Sequence, residues 1–437
     1  MIDYKKYFDI LCWSINPDYQ SIPDTKGMDW YDFYQFACEQ AIAGVAFEGM
    51  KRMSDAKGKE EENHQPQSKP PFNLLMEWIG LTEQIAGQNR ILNRRCAEVV
   101  KEYQEAGFQC CVLKGQGNAA RYGGRGTRDD GSRDSLALRR TPGDIDLWVL
   151  PKENGRGKKA EGRGLKADGR CKKGDVREII KYVRERHPEK MDEVRYYHMG
   201  YEDKGIEVEV HFMPNIMNNP VYHRRLQKWY KKMADGGRLK EEVELPEGVG
   251  SIPVPTAEFN IVFQLAHMMH HFFDEGIGLR QFVDYYYVLM EEGRRQMEGR
   301  RGMMDDVADT LQYLGLWKFA GAVMYVMQEV FHLDKAYMIA PVDERRGKTL
   351  MEEILKGGNF GRYSGLTNHT AGGKYVAKTL RNLRLVREYP AEALCEPVFR
   401  TWHFLWRKTY GSWLRVLGRA KRQSRERSGD GSLITIS

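Results

Sequence analysis

Apolar residues recur at helical spacing over three stretches of the first hundred residues, 4–15, 30–50 and 72–106. In the longest, Leu75, Trp78, Ile79, Ile85, Leu92, Cys96, Val99 and Tyr103 fall near one face of a 3.6-residue repeat. Gly107 stands where a helix C-terminus favours glycine. A polar segment with charge runs and three prolines near its end, within 51–71, reads as a mobile linker. From Phe108 the period shortens, predicting strands over 108–113, 145–150, 196–201 and 206–212, with helices after Gly117 and over 176–186. Beyond Pro255 the helical period returns over 257–273, 279–290, 303–314, 317–331, 350–355, 374–387 and 398–419. The expected organisation is an N-terminal helical region, 1–107, a core of strands and helices, 108–252, and a C-terminal helical region with a basic tail, 253–437. No internal repeat is evident.

Composition narrows the class. A chain of 437 residues with 41% hydrophobic content buries a large core. No uninterrupted apolar run approaches the roughly 18 residues of a membrane span, and the charged start Met1-Ile2-Asp3-Tyr4-Lys5-Lys6 is unlike a signal peptide. Seven scattered cysteines, never spaced Cys-x-x-Cys, fit a reduced cytoplasmic protein without structural zinc. The net charge of +7 gathers in a Gly/Lys/Arg-rich segment, 152–173, and in the tail from Arg415 to Arg427. Both read as solvated appendages, the first a flexible loop, so nucleic acid is possible but not favoured as a partner. Trp402, Leu405, Trp406, Tyr410 and Trp413 lie among basic residues of the last helix. Such a stripe suits a membrane surface or, more commonly, packing on its own domain.

Candidate chemistry centres on Gly143-Asp144-Ile145-Asp146-Leu147-Trp148-Val149. Side chains alternate along a strand, so Asp144 and Asp146 project together while Ile145, Leu147 and Val149 turn into the core. Paired carboxylates suit a hard divalent cation; an isolated Asp-x-Asp also fits a polar turn at an edge strand. Upstream, a strand runs into Lys114-Gly115-Gln116-Gly117-Asn118, where glycines let backbone amides approach a phosphate. Downstream, Ile206-Glu207-Val208-Glu209-Val210-His211-Phe212 alternates strictly and places Glu207, Glu209 and His211 on one face. A third carboxylate on an adjacent strand is what a two-metal site requires.

In this order, Leu113-Lys114-Gly115, Arg140 to Val149 and Val208-Glu209-Val210-His211 resemble the nucleotidyltransferases of the DNA polymerase β superfamily, in particular a bacterial group described as uncharacterised nucleotidyltransferase family proteins. The likeness extends to His267 to Phe273, Gly276 to Arg280 and Asp284. The ordered set is specific; no single member is. The resemblance implies an α/β (α+β) fold, a small mixed-sheet core flanked by N-terminal helices and a C-terminal helical domain. It implies two Mg²⁺ ions, with Mn²⁺ possible, held by Asp144, Asp146 and Glu209, which are also the catalytic set. Glu209 would double as a possible base. Lys114, Gly115, Gln116 and Arg140 would bind the nucleoside triphosphate. The implied reaction moves a nucleoside monophosphate to an acceptor hydroxyl on a small molecule, protein or RNA end.

Gln116 departs from the serine that often follows the motif's glycine, and segments 122–138 and 151–175 read as insertions. Glu207 is an alternative third ligand, and His211 fits a residue that orients a carboxylate better than one that binds Mg²⁺. A catalytically silent nucleotide-binding module of the same fold is a second reading. His267, His270, His271 and Asp274 raise a third, a His/Asp metal-dependent phosphohydrolase, although histidines roofing the site or packed in a helical core also account for them.

Overall fold

A computed structural model describes residues 4–16, 19, 21–57, 68–122, 136–150, 173–187, 194–298, 307–361 and 371–411. Helices α1 (Tyr4–Ile15), α2 (Trp30–Glu39), α3 (Ala43–Lys57) and α4 (Phe72–Glu105) come first. The helix expected over 30–50 is two, because Ala41 adopts a left-handed backbone at φ +56° that interrupts the helical ladder. Residues 51–57 continue α3, so the start of the expected linker is helical; 58–67 lie outside the described residues. Gly107 follows α4 at φ +86°, where glycine ends a helix at no steric cost.

The fold is mixed α+β. Four strands, β1 (Gln109–Val112), β2 (Ile145–Leu150), β3 (His198–Asp203) and β4 (Ile206–His211), pair in the order β1-β2-β4-β3. β1 and β3 run antiparallel to their neighbours, whereas β2 and β4 are parallel. The one-turn helix α5 (Gln116–Ala119) follows β1, and α6 (Lys173–Arg186) precedes β3. β3 begins two residues later than its alternation indicates: the Tyr197 carbonyl accepts from both Phe212 and Met213, outside the regular ladder. Residues 123–135 and 151–172, most of the two expected insertions, lie outside the described residues, as does the tail from 412.

Period two gives the sheet two unlike faces. On one, Ile145, Leu147, Val149, Val208 and Val210 pack with α4 and α6 in an apolar core. That core also takes Ile252 and Val254 from a hairpin the periodicity left unassigned, β5 (Lys240–Glu244) and β6 (Ser251–Pro255). Also unassigned was α7 (Pro220–Asp235), whose Asn219 cap accepts the Val221 and Tyr222 amides at 3.0 and 3.1 Å. The second face meets α8 (Ala257–Asp274), where Trp148 stacks on Phe259 at 6.0 Å.

Helices α8, α9 (Leu279–Met297), α10 (Val307–Tyr313), α11 (Trp317–Phe331) and α12 (Glu344–Gly357) share one core with α1–α3. Gln40 joins them, donating to the Ile354 carbonyl and accepting from the Leu279 amide, each at 3.0 Å. α12 starts earlier than its apolar residues indicate because Asp343 caps it, accepting from the Arg346 amide at 3.1 Å. The last helices are α13 (Ala371–Arg384) and α14 (Pro390–Trp406). α14 begins at Pro390, whose fixed φ suits a first helical turn, well before the expected 398.

Candidate functional site

The loop before β2 is fixed before any acid is placed. Asn89 of α4 donates to the carbonyls of Leu138 at 2.8 Å and Arg140 at 2.7 Å, and Thr141 donates to the Ala41 carbonyl at 2.7 Å. Arg140 forms a two-pronged pair with Asp284 of α9, both contacts 2.8 Å, and the Tyr122 hydroxyl donates to the same carboxylate at 2.7 Å. Arg280 reaches the carbonyls of Thr141 and Pro142 at 3.3 and 3.4 Å. Planar, buried pairing of this kind sets position as well as charge.

Parallel pairing then brings the acids together. Asp146 is in register with Glu209, and Asp144 lies two residues back on the same face. Oxygens from Asp144, Asp146 and Glu209 all lie within 4.8 Å of one another. Glu207 sits one step toward the outer end of β4, opposite Glu202, and is exposed. Of the two open candidates, Glu209 is therefore the one beside the aspartates.

Basic groups answer this charge. Lys114 Nζ is 2.8 Å from Asp146 Oδ1, and His211 Nε2 is 3.0 Å from the same oxygen. His211 Nε2 is also 3.4 Å from Glu209, while His198 Nε2 stands 3.6 Å from the other Glu209 oxygen. Burial pushes the Asp144 carboxyl up to about 6, aided by Asp146 and Glu209 and opposed by Lys114. Burial alone would lower both bases, yet the carboxylates hold His211 up at about 9 and keep Lys114 above its ordinary value. Burial would raise Glu209, but its bond to His211 and the charges of His211 and Lys114 keep it below the usual carboxylate range. His198 is driven down, first by burial, and stays neutral.

Gly115 takes φ +62° and ψ −112°, and a Cβ there would stand 3.3 Å from the Asp144 carbonyl oxygen. Only glycine accepts that conformation without strain. Gln116, expected at the nucleotide, turns away instead: its amide donates to Asn93 and, at 3.5 Å, to Asn89, both on α4. The pull of these two buried α4 amides is the physical reason. Arg140 does line the cavity, but with its charge already matched by Asp284.

The acids open on a cavity of about 200 Å³. Its roof is α8, contributing His267, His270 and His271. Burial keeps all three imidazoles neutral, with Lys114 adding to the effect on each. His267 and His271 touch through Nε2 atoms 3.0 Å apart, while Asp274 pairs with Lys378 of α13. Among the described residues, the groups able to hold a metal are Asp144/Asp146/Glu209 and His198/Glu209/His211, so the α8 histidines form a roof rather than a ligand set.

Arg195, Tyr197, His198, Asn118 and Arg280 also line the cavity and were given no role from sequence. A signal existed for His198, which pairs with His211 across β3 and β4 and shares its face. The set combines a compact oxygen-donor cluster, a lysine and a glycine-bearing strand exit beside a polar cavity. Such an array suits a cation and a polyphosphate.

No curated protein matches the chain. A solved structure, an antigenic nucleotidyltransferase-like protein from Paracoccidioides brasiliensis, is 11% identical, with a TM-score of 0.31 over 58% of this chain and 95% of its own. No helix among the described residues is long and apolar enough to cross a membrane. The family described as uncharacterised nucleotidyltransferase matches residues 26–332, well over half of the sequence, and the chain belongs to that family.

Proposed function

We propose that the protein is a Mg²⁺-dependent nucleotidyltransferase that moves a nucleoside monophosphate from a nucleoside triphosphate to an acceptor hydroxyl, releasing pyrophosphate. The observation that carries this reading is the convergence of Asp144, Asp146 and Glu209 oxygens within 4.8 Å. A cation about 2.1 Å from each oxygen holds them no more than about 4.2 Å apart, so small rotamer changes complete the set. Asp144, Asp146 and Glu209 would hold the divalent cations. When bound, Mg²⁺, or Mn²⁺ in its place, lowers the proton affinity of the acceptor hydroxyl and neutralises charge on the leaving pyrophosphate.

The chain's own residues position and compensate. Gly115, free of a Cβ, would leave backbone beside Asp144 open to the triphosphate, and Lys114, paired with Asp146, supplies a positive charge beside it. Arg140, tied to Asp284, serves chiefly to hold the loop that delivers Asp144. His211 orients Asp146 and Glu209 from one side, and the neutral α8 histidines offer hydrogen bonds without adding charge. Leverage comes from positioning and electrostatics, with no covalent intermediate.

Calorimetry with common nucleoside triphosphates, with and without Mg²⁺, followed by a pyrophosphate-release assay in the presence of cell extract, tests the reading. Expected are Mg²⁺-dependent binding and release, both lost in Asp144→Asn. Binding without release under every acceptor condition would favour the silent module; neither binding nor release would overturn the assignment.

A further inference from the structure

Among the described residues, α13 and α14 pack through one face each and leave the opposite faces exposed. Asn382 of α13 and Leu385 just past its end, and Glu392, Ala393 and Glu396 of α14, are buried. Outward, Val376, Leu380 and Leu383 recur along α13 and are 51–56% exposed. Along α14, Leu394, Val398 and Leu405 recur at 56–70% exposure. Both sets follow the three-to-four-residue step of a single helical stripe. The helices meet where the Tyr375 hydroxyl lies 3.0 Å from Thr401 Oγ1 and Arg400 donates to Thr379 at 2.7 Å, which makes the stripes neighbours. Isolated exposed leucines are ordinary; two adjoining stripes of them mark an interaction surface.

Charge on the same surface selects the partner. Residues 371–411 contain three acids, Glu388, Glu392 and Glu396, and all are buried. Glu388 pairs with Arg345 and Arg346, Glu392 accepts the Asn218 and Asn219 amides, and Glu396 is held by Lys378 and Asn382. Arg384, Arg387 and Lys408 are exposed beside the stripes. An outer surface of apolar side chains, aliphatic and aromatic, and of cations, with its carboxylates turned inward, complements a partner that is apolar beneath and anionic on top. Tyr375, Trp402 and Phe404 add rings that are 43–49% exposed on the same helices, groups of the kind that sit at a membrane–water boundary.

We propose that the outer face of α13 and α14 seats the protein on the surface of a bilayer containing anionic lipid, lying in the interface without crossing it. The stripes would enter the headgroup boundary while Arg384, Arg387 and Lys408 pair with phosphates. The seat would adjoin the cavity, because Lys378 of α13 pairs with Asp274 in its wall. The proposal stands independently of the nucleotidyl-transfer reading.

Cosedimentation of the full chain with phosphatidylcholine vesicles, with and without phosphatidylglycerol, decides it. Expected is binding to the mixed vesicles, weaker by about tenfold or more on phosphatidylcholine alone. Leu380→Asp/Leu405→Asp should abolish binding, and Arg384→Glu/Arg387→Glu should weaken it by about tenfold or more, with unchanged melting temperature in both. Failure to bind mixed vesicles would overturn the proposal. So would binding that survives the leucine substitutions, equal affinity for single-stranded RNA, or a dimer that the leucine substitutions dissociate, since each assigns the face to a different partner.

Discussion

The two faces of the four-stranded sheet are built from the same residues in alternation, yet they are under opposite demands. Leu147 and Val210 are fully buried on one face and contribute to stability through the water they exclude. Asp146 and Glu209, their immediate neighbours, lie on the other, where crowded carboxylates need Lys114 and His211 for compensation. A single step along the chain thus separates a residue that holds the fold from one that holds charge. The site therefore costs the fold little only while Lys114 and His211 are in place.

Substituting the two neighbours one at a time should separate the two roles. Asp146→Ala should reduce nucleotidyl transfer by on the order of a thousandfold or more while circular dichroism and melting stay close to wild type. Substantial activity in that variant would remove Asp146 from the ligand set. Leu147→Ala should do the reverse, costing about 2–5 kcal/mol of stability by denaturant titration with Mg²⁺-dependent nucleotide binding preserved in the folded fraction.

A lone buried carboxylate sharpens the contrast with the clustered ones. Glu392 is pushed up from 4.5 to about 7, first by burial, against the pull of the Asn218 and Asn219 amides. Its folded value lies above its unfolded one, so the protonated form is favoured on folding. The stabilising contribution is complete below pH 4.5 and is lost as pH rises through about 7. Over that window the stability difference between wild type and Glu392→Gln should change by about 3 kcal/mol; a difference independent of pH would refute it. The smallest effect belongs to Glu207→Gln. Glu207 shares the face of Glu209 but lies at its exposed end, and turnover should stay within about twofold of wild type.

What the sequence made legible is local. Alternation in 206–212 placed Glu207, Glu209 and His211 on one face because period two needs no knowledge of the partner strand, but it did not choose between the two glutamates. The parallel pairing that brings Asp146 opposite Glu209 needed the resemblance, since it joins strands across an insertion. α7 went unassigned although Asn219-Pro220 is a readable helix start. The hairpin β5–β6 was hidden by the Lys-Glu-Glu-Val-Glu of its first strand, only one residue of which is buried. The direction of the Gln116 side chain was not readable, because what turns it, Asn89 and Asn93, lies more than twenty residues earlier on another element. Arg140 and Asp284 are 144 residues apart, and no spacing rule links them.

That last separation has a consequence for how the molecule comes into being. During synthesis Asp144, Asp146 and Glu209 emerge long before Asp284, and until α9 arrives the guanidinium of Arg140 lacks the two-pronged partner that holds it. The loop carrying the aspartates therefore sets late, with the helical half. A nascent chain that stops short of Asp284 would own every acid of the site and still lack the clamp that aims them.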